Sequence, residues 1–381
     1  MRKLERAINI LNRLNASSYE AFIVGGAVRD YLLHLDLTDI DITTNAKPEE
    51  IAQVFKKTIP TGQAFGTMTV IEEGDAFEIT TYRQDGSYLN HRKPASVKYA
   101  DDVYEDLKRR DFTINQLRMD ASRNIYDDFN GLEDLQSKII RTIGNPEERF
   151  EEDALRLLRA FRFSAKLGFT IEENTLKAIQ KKAYLIQKIS IERIQNELSR
   201  MLEYENVLKT VHVMIESGFA YHLFHLKNAL MHLLAYAEGS KWKRLYLISQ
   251  KTDLSQLPWK LPSKTLRRLQ TIKSLDEKLQ KTFYPRLILE CEEADFKILD
   301  EIAIDENKPS IITTYHELKI DLIIPSKKDL MLNGKELDDA LVLKDKSQIQ
   351  PLLDALIDEV LAGRVINQKD ALINYAKLMK K

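Results

Sequence analysis

A chain of 381 residues with 44% apolar content suggests two or three domains, and no apolar run in it approaches the roughly 20 residues that a membrane-spanning helix needs. Its single cysteine, Cys291, excludes an intramolecular disulfide and a cysteine-rich zinc site. A formal net charge of −1 argues against a uniformly cationic nucleic-acid binder, but residues 144–272 carry 21 Lys+Arg against 14 Asp+Glu between two acidic ends.

The chain opens on an amphipathic helix start without the apolar core of a secretory signal, so a cytoplasmic location is expected. Ala21 to Val24 is short, apolar and β-prone and reads as a buried strand. It breaks at Gly25-Gly26, and residues 27–33 read as a helix. Glycines between a strand and a helix let the backbone approach a ligand closely, and a helix N-terminus offers free N–H groups to phosphate. Asp39-Ile40-Asp41-Ile42 then alternates with period two, which predicts a strand with both carboxylates on one face and both isoleucines in the core. Two such carboxylates suit Mg²⁺, which binds one or two carboxylates together with substrate phosphates. A metal-dependent phosphoryl or nucleotidyl transfer site is expected. A dinucleotide fingerprint lacks its third glycine here, because Arg29 and Asp30 stand in its place, and no Gly-Lys-Ser/Thr follows for a Walker-type loop.

Met68 to Glu72 and Ala76 to Tyr82 read as strands joined by a turn at Glu73-Gly74-Asp75. Glu78 projects opposite Phe77 and Ile79, either as a third acidic group near the metal or on a solvated face. Residues 83–95 are polar and rich in turn formers and read as a mobile loop, and Ile125 to Phe129 is a weaker strand. From Pro146 onward the pattern is helical, with breaks near Ser190, at Pro258 to Pro262, near Pro285 and around Asn307 to Ser310. In the first of these helical stretches Asp153, Arg156, Arg159 and Arg162 recur every three residues, which predicts neighbours side by side, while Leu155, Leu158, Phe161 and Ala165 form the core stripe. A carboxylate beside a guanidinium can read a Watson–Crick edge. Asp153 accepting and Arg156 donating would admit C and A, which share an amino donor beside a ring-nitrogen acceptor, and reject U and G. The histidines at 212, 222, 225 and 232 have no acidic partners at ligand spacing and read as scattered.

The glycine pair with Asp39 and Asp41, the stretch Arg109 to Asn115, the arginine series and residues 192–198 occur in the order and spacing of the bacterial class II tRNA nucleotidyltransferases, the CCA-adding enzymes. The chain resembles that family over residues 20–200, and beyond about residue 205 only the helical character matches. The resemblance implies an α+β protein: an N-terminal mixed-sheet nucleotidyltransferase head of the polymerase β type at 1–143, then an all-α neck at 144–205, body at 206–272 and tail at 273–381. It implies that Asp39 and Asp41 are the catalytic Mg²⁺ ligands and that Gly26 and Arg29 meet the nucleotide's phosphates. Arg110, with Asp111 beside it, would sit near ribose and phosphate. Asp153 and Arg156 would form the template that reads the base, and Arg159 and Arg162 would add further contacts. The implied reaction is template-independent addition of CMP, CMP and AMP to the tRNA 3′ end, with CTP and ATP as substrates, tRNA as partner, and no membrane or obligate protein partner.

An A-adding enzyme, a CC-adding enzyme and a bacterial poly(A) polymerase are the alternatives within this chemistry. A catalytically silent RNA-binding protein is the alternative outside it. In the family a loop at the position of residues 83–95 accompanies the switch from CTP to ATP, which favours full CCA addition. Gln116-Leu117-Arg118 departs from the small or apolar residues usual after Ile114-Asn115.

Overall fold

The computed structural model describes residues 2–62, 66–85, 88–89, 93–94, 97–100, 102–223, 226–252, 261–280, 285–343 and 345–379. The chain forms two compact units, the first running through Leu234 and the second taking over from Ala235. Among the described residues no helix is long and apolar enough to cross a membrane.

The first unit opens with helix α1 (Arg2–Ala16), whose buried face is Leu4, Ala7, Ile8, Ile10, Leu11 and Leu14, a stripe at helical spacing. A sheet of seven strands follows: β1 (Ala21–Val24), β2 (Asp41–Thr44), β3 (Thr58–Gly62), β4 (Thr67–Glu72), β5 (Asp75–Thr81) and the two-residue strands at Arg118–Met119 and Ile125–Tyr126. The last two flank β1 on one side, and β2, β5, β4 and β3 follow on the other. Only β2 and β5 are parallel neighbours, so the sheet is mixed. All four residues of β1 are buried, as an uninterrupted apolar run requires. Helix α2 (Gly26–Leu32) starts where β1 stops, and α3 (Pro48–Val54) follows β2.

Two expectations need correction here. Asp39 is not part of a strand, because β2 begins at Asp41. Asp41 pairs with Val24, the last residue of β1, and the chain then turns away at Gly25, so β1 offers Asp39 no backbone partner. The side-chain alternation nevertheless continues, with Ile40 and Ile42 buried at 2% and 1% exposure and Asp39 and Asp41 exposed. The loop expected at 83–95 is partly paired: Arg83–Asp85 runs antiparallel to Val97–Tyr99, and Tyr88–Leu89 to Lys93–Pro94. Residues 86–87, 90–92 and 95–96, including Gly86 and Arg92, lie outside the described residues. A polar run with turn formers gives no two-residue apolar alternation from which such short ladders can be read.

Beyond the sheet, α4 (Val103–Lys108) and α5 (Gly131–Gln136) precede α6 (Pro146–Glu152) and α7 (Leu155–Leu167). Asn145 caps α6 by accepting from the Glu147 N–H at 3.0 Å, and Gly168, at φ +70°, ends α7. Ile139–Ile140 and Thr170–Ile171 form a small parallel pair inside this otherwise helical stretch. After α8 (Glu173–Lys182), α9 (Ile191–Met201) starts at Ser190 and lies along α7. The second unit carries helices and no strand among its described residues. Helices begin at Pro262, Pro285 and Ser310, in keeping with the breaks expected from the sequence. Its core includes Leu337, Leu356, Val360, Leu372 and Ala376, all fully buried.

Candidate active site

Gly25 adopts φ +75° and ψ −133°, a conformation open to glycine and strained for other residues. A Cβ there would also lie 3.0 Å from Nη1 of Arg110, so glycine is what lets that guanidinium come up against the β1–α2 turn. One turn into α2, Arg29 is buried at 2% exposure. Its Nε donates to Oδ1 of Asp30 at 2.8 Å and its Nη1 to the side-chain oxygen of Asn115, while the ring of Phe163 lies 5.1 Å away. Lys166 closes the same group by donating to Oδ2 of Asp30 at 2.7 Å.

The carboxylates of Asp39 and Asp41 have no hydrogen-bond or ion-pair partner among the described residues, and Glu78 sits beside Asp41 in strand register. Although Asp41 is exposed, the protein crowded around it removes enough hydration to raise its carboxyl above the ordinary value; the charge of Arg110 opposes this and the charge of Asp39 adds to it. Two unpaired, mutually repelling carboxylates are the donor set that a hard divalent cation satisfies. No group of three or more metal-ligating side chains occurs among the described residues, so such an ion would need substrate oxygens to complete its shell. Glu78 is therefore a neighbour of the pair, with no ligand role assigned by the geometry.

Behind these carboxylates, Asp106 is fully buried and gathers Arg109 at 2.7 Å and Arg110 at 3.3 Å. Burial pushes its carboxyl up, but the two arginine charges prevail and hold it below the ordinary range. Asp111 points the other way. Its Oδ1 accepts from the Phe112 N–H at 2.8 Å and from Asn115 at 2.9 Å, and its Oδ2 accepts from Nε of Arg159 at 2.8 Å. Arg162 is tied to Glu197 of α9.

The expected continuous helix through Asp153 is interrupted. α6 ends at Glu152, Asp153 adopts an extended backbone (φ −135°, ψ 100°), and α7 starts at Leu155. Asp153 accordingly lies just outside α7, where its carbonyl accepts from the Arg156 N–H at 3.0 Å, and the two side chains make no ion pair with each other. The Asp153 carboxylate caps α7 through the Leu155 N–H at 3.1 Å and meets Arg193 of α9 at 3.2 Å. Arg156 donates to Glu152 at 2.8 Å and to the carbonyl oxygens of Arg149 and Arg109 at 3.0 and 2.7 Å. An ionised carboxylate has about four acceptor positions and a guanidinium five N–H donors, so each group keeps capacity for a ligand.

All ten residues to which the family resemblance gives a role line one cleft of about 590 Å³ within the first unit. Sequence reasoning did not assign Asn115, Lys166, Arg200 or Tyr204, which share that cleft, or Arg193 and Glu197, which hold its arginines and aspartates in place. Asn115, Arg193 and Glu197 fall inside the motif stretches, which is the available hint; the others carry no pattern. Gln116 and Arg118 do not line the cleft. Gln116 is buried and donates to Asp127, and Arg118 is held by Asp128 with its guanidinium 4.7 Å from the rings of Phe22 and Tyr126.

Three families match successive parts of the chain: the Poly A polymerase head domain at 21–141, the probable RNA and SrmB-binding site of polymerase A at 168–230, and the putative tRNA nucleotidyltransferase domain 2 at 240–376. The CCA-adding enzyme of Ligilactobacillus salivarius is 37% identical, covering 98% of this chain and 96% of that one. The chain belongs to the CCA-adding enzyme family. The CCA-adding enzyme of Enterococcus faecalis is 34% identical over 98% of this chain and 96% of its own. In structure, the Bacillus stearothermophilus CCA-adding enzyme in complex with CTP matches with a TM-score of 0.86 and 30% identity, covering 98% of this chain and 97% of that chain. As a member of the CCA-adding family the chain is a nucleotidyltransferase, and enzymes of this superfamily are metal-dependent.

Proposed function

We propose that this protein extends the 3′ end of tRNA by CMP, CMP and AMP from CTP and ATP, releasing pyrophosphate, in the cytoplasm. The observation that carries the reading is the convergence in one cleft of the unpaired Asp39–Asp41 pair, the Gly25-Gly26 turn and the Asp153–Arg156 neighbourhood. Residues 1–143 serve as the catalytic head, 144–205 as the neck that recognises the base, and 206–272 and 273–381 as the body and tail that hold tRNA.

Asp39 and Asp41 would hold Mg²⁺, which would neutralise phosphate charge and lower the pKa of the primer hydroxyl. In the in-line displacement the primer's 3′ oxygen bonds to the α-phosphorus, the bond to the bridging α–β oxygen breaks, and the hydroxyl proton passes to solvent. Gly26 and Arg29 lie against the phosphates, and Arg110, with Asp111 beside it, near ribose and phosphate. Arg159 and Arg162 add contacts whose geometry Asp111 and Glu197 fix. Asp153 accepts from the amino group of cytosine or adenine while Arg156 donates to the adjacent ring nitrogen, so both bases fit one template. Helix capping and the pairs to Arg193 and Glu152 orient the two groups before the nucleotide arrives.

The test incubates a tRNA lacking its 3′ triplet with each nucleotide separately and with CTP plus ATP. Two additions with CTP alone and three with both nucleotides are expected. Asp41→Ala should stop CMP and AMP incorporation together while tRNA binding stays near wild type. Addition of A only, or normal turnover by Asp41→Ala with Mg²⁺, would refute the reading.

A further inference from the structure

Six of the seven Lys and Arg side chains lining the cleft are tied to carboxylates: Arg29 and Lys166 to Asp30, Arg110 to Asp106, Arg156 to Glu152, Arg159 to Asp111 and Arg162 to Glu197. The seventh, Arg200, is exposed and has no side-chain partner among the described residues. The others spend donors on the protein, whereas the Arg200 guanidinium has all five N–H groups available.

Its place in the cleft follows from how α7 and α9 lie together. Asp153 meets Arg193 near the start of both helices, Arg162 meets Glu197 midway, and Asn206 reaches the Ala165 carbonyl at 3.3 Å past the end of α9. The two helices therefore run side by side in the same direction. Arg200 lies three residues after Glu197, on the same face of α9, and falls beside the last turns of α7. That is the end of the cleft away from Asp153. Lys166 and Phe163 project there from α7, and α2 joins them through the Lys166–Asp30 pair and the Arg29–Phe163 contact. Glu203 lines the same end and tempers the positive charge there.

We propose that Arg200 is a further phosphate-binding residue, holding the β,γ end of the incoming triphosphate and the pyrophosphate that leaves. This rests on the reading of the cleft as a nucleotidyl-transfer site. A guanidinium matches a phosphate's oxygens with paired charge-assisted hydrogen bonds. The phosphate could come from the nucleotide or from the primer backbone; the position of Arg200 at the end of the cleft where Lys166 meets Asp30 of α2, remote from Asp153, favours the nucleotide. The triphosphate is common to CTP and ATP, so the contribution of Arg200 is independent of the base.

The test measures equilibrium binding of CTP and of ATP to the primer-free full-length protein, inhibition by pyrophosphate, and KM for tRNA, in wild type, Arg200→Ala and Arg200→Lys. In Arg200→Ala both nucleotides should bind about tenfold more weakly, equivalent to about 1.4 kcal/mol, with pyrophosphate inhibition weakened alike and the KM for tRNA unchanged. Arg200→Lys should recover part of the loss, because it keeps the charge but not the fork. A raised KM for tRNA with unchanged nucleotide binding would place the phosphate in the primer and overturn the proposal. Unchanged values throughout would overturn it as well. If wild type itself fails to incorporate CMP and AMP, the functional reading falls, and the binding measurements still decide the role of Arg200.

Discussion

The Asp111 carboxylate shows how a residue lining this cleft also stabilises the fold. Burial alone would push its carboxyl up. The charge of Arg159, hydrogen bonds from Asn115 and Arg159, and the charge of Arg156 prevail and hold it far below the ordinary carboxylate range. A group whose folded pKa is lowered stabilises the fold at pH values above its unfolded pKa, about 3.9, and loses that stabilisation as pH falls below it. Asp111→Asn leaves Arg159 with Glu197 alone, at 3.8 Å. Breaking a buried pair costs roughly 3–5 kcal/mol, but the Arg159 side chain keeps 31% of its surface, so a loss of about 2 kcal/mol at pH 7 is expected. Urea unfolding should show the gap between wild type and variant closing as pH drops below about 4. A gap of constant size down to pH 3 would mean that the carboxylate charge is not its source. At this scale the sequence shows the groups but not their partners. Asp39, Asp41 and the arginines are visible from residue type and spacing, whereas Arg159 and Asp111 lie 48 positions apart and Arg193 and Asp153 lie 40 apart. No local pattern encodes such pairings.

The break between α6 and α7 sets the placement of Asp153 and Arg156, the pair proposed to read the base. Residues 150–156 contain neither glycine nor proline, so periodicity reads through them as one helix. Packing decides otherwise: Phe150 and Leu157 are fully buried on either side of the break, and Asp153 turns to cap the second helix and meet Arg193. β3 has no buried residue in its Thr58–Gly62 run, so only its pairing with β4 makes it a strand. The broad layout was legible because β1 is a clean apolar run and because the later helices begin at proline or serine. If Arg193 orients Asp153, Arg193→Ala should lower discrimination against UTP and GTP about tenfold, within the roughly 1–3 kcal/mol of a good bidentate base contact. CTP turnover should fall less than in Asp153→Ala, and Arg193→Lys should restore part of the selectivity. Incorporation assays with each nucleotide alone would measure this. Full selectivity in Arg193→Ala would show that the Leu155 N–H alone holds the carboxylate.

At the scale of the whole chain, every residue lining the cleft belongs to the first compact unit, while the second has a separate core built around Leu337, Leu356, Val360 and Leu372. A chain with two cores need not unfold as one cooperative body. A ligand confined to one of them raises that transition by RT ln(1 + [L]/Kd), about 2.7 kcal/mol at a hundredfold excess over Kd. CTP is therefore expected to raise the transition of the first unit. The second unit offers an independent handle at Val342, a β-branched residue 79% exposed and held at φ +48°, where it ends helix Gly334–Leu341. Left-handed backbone costs such a residue roughly 1–2 kcal/mol, and glycine adopts it freely at some entropic cost in the unfolded chain, so Val342→Gly should stabilise the second unit by about 1 kcal/mol. Calorimetry on wild type and variant, each with and without CTP, separates the two effects. CTP should move one transition and the substitution the other, leaving CTP affinity unchanged. A single transition that both perturbations raise additively would show that the two cores melt as one.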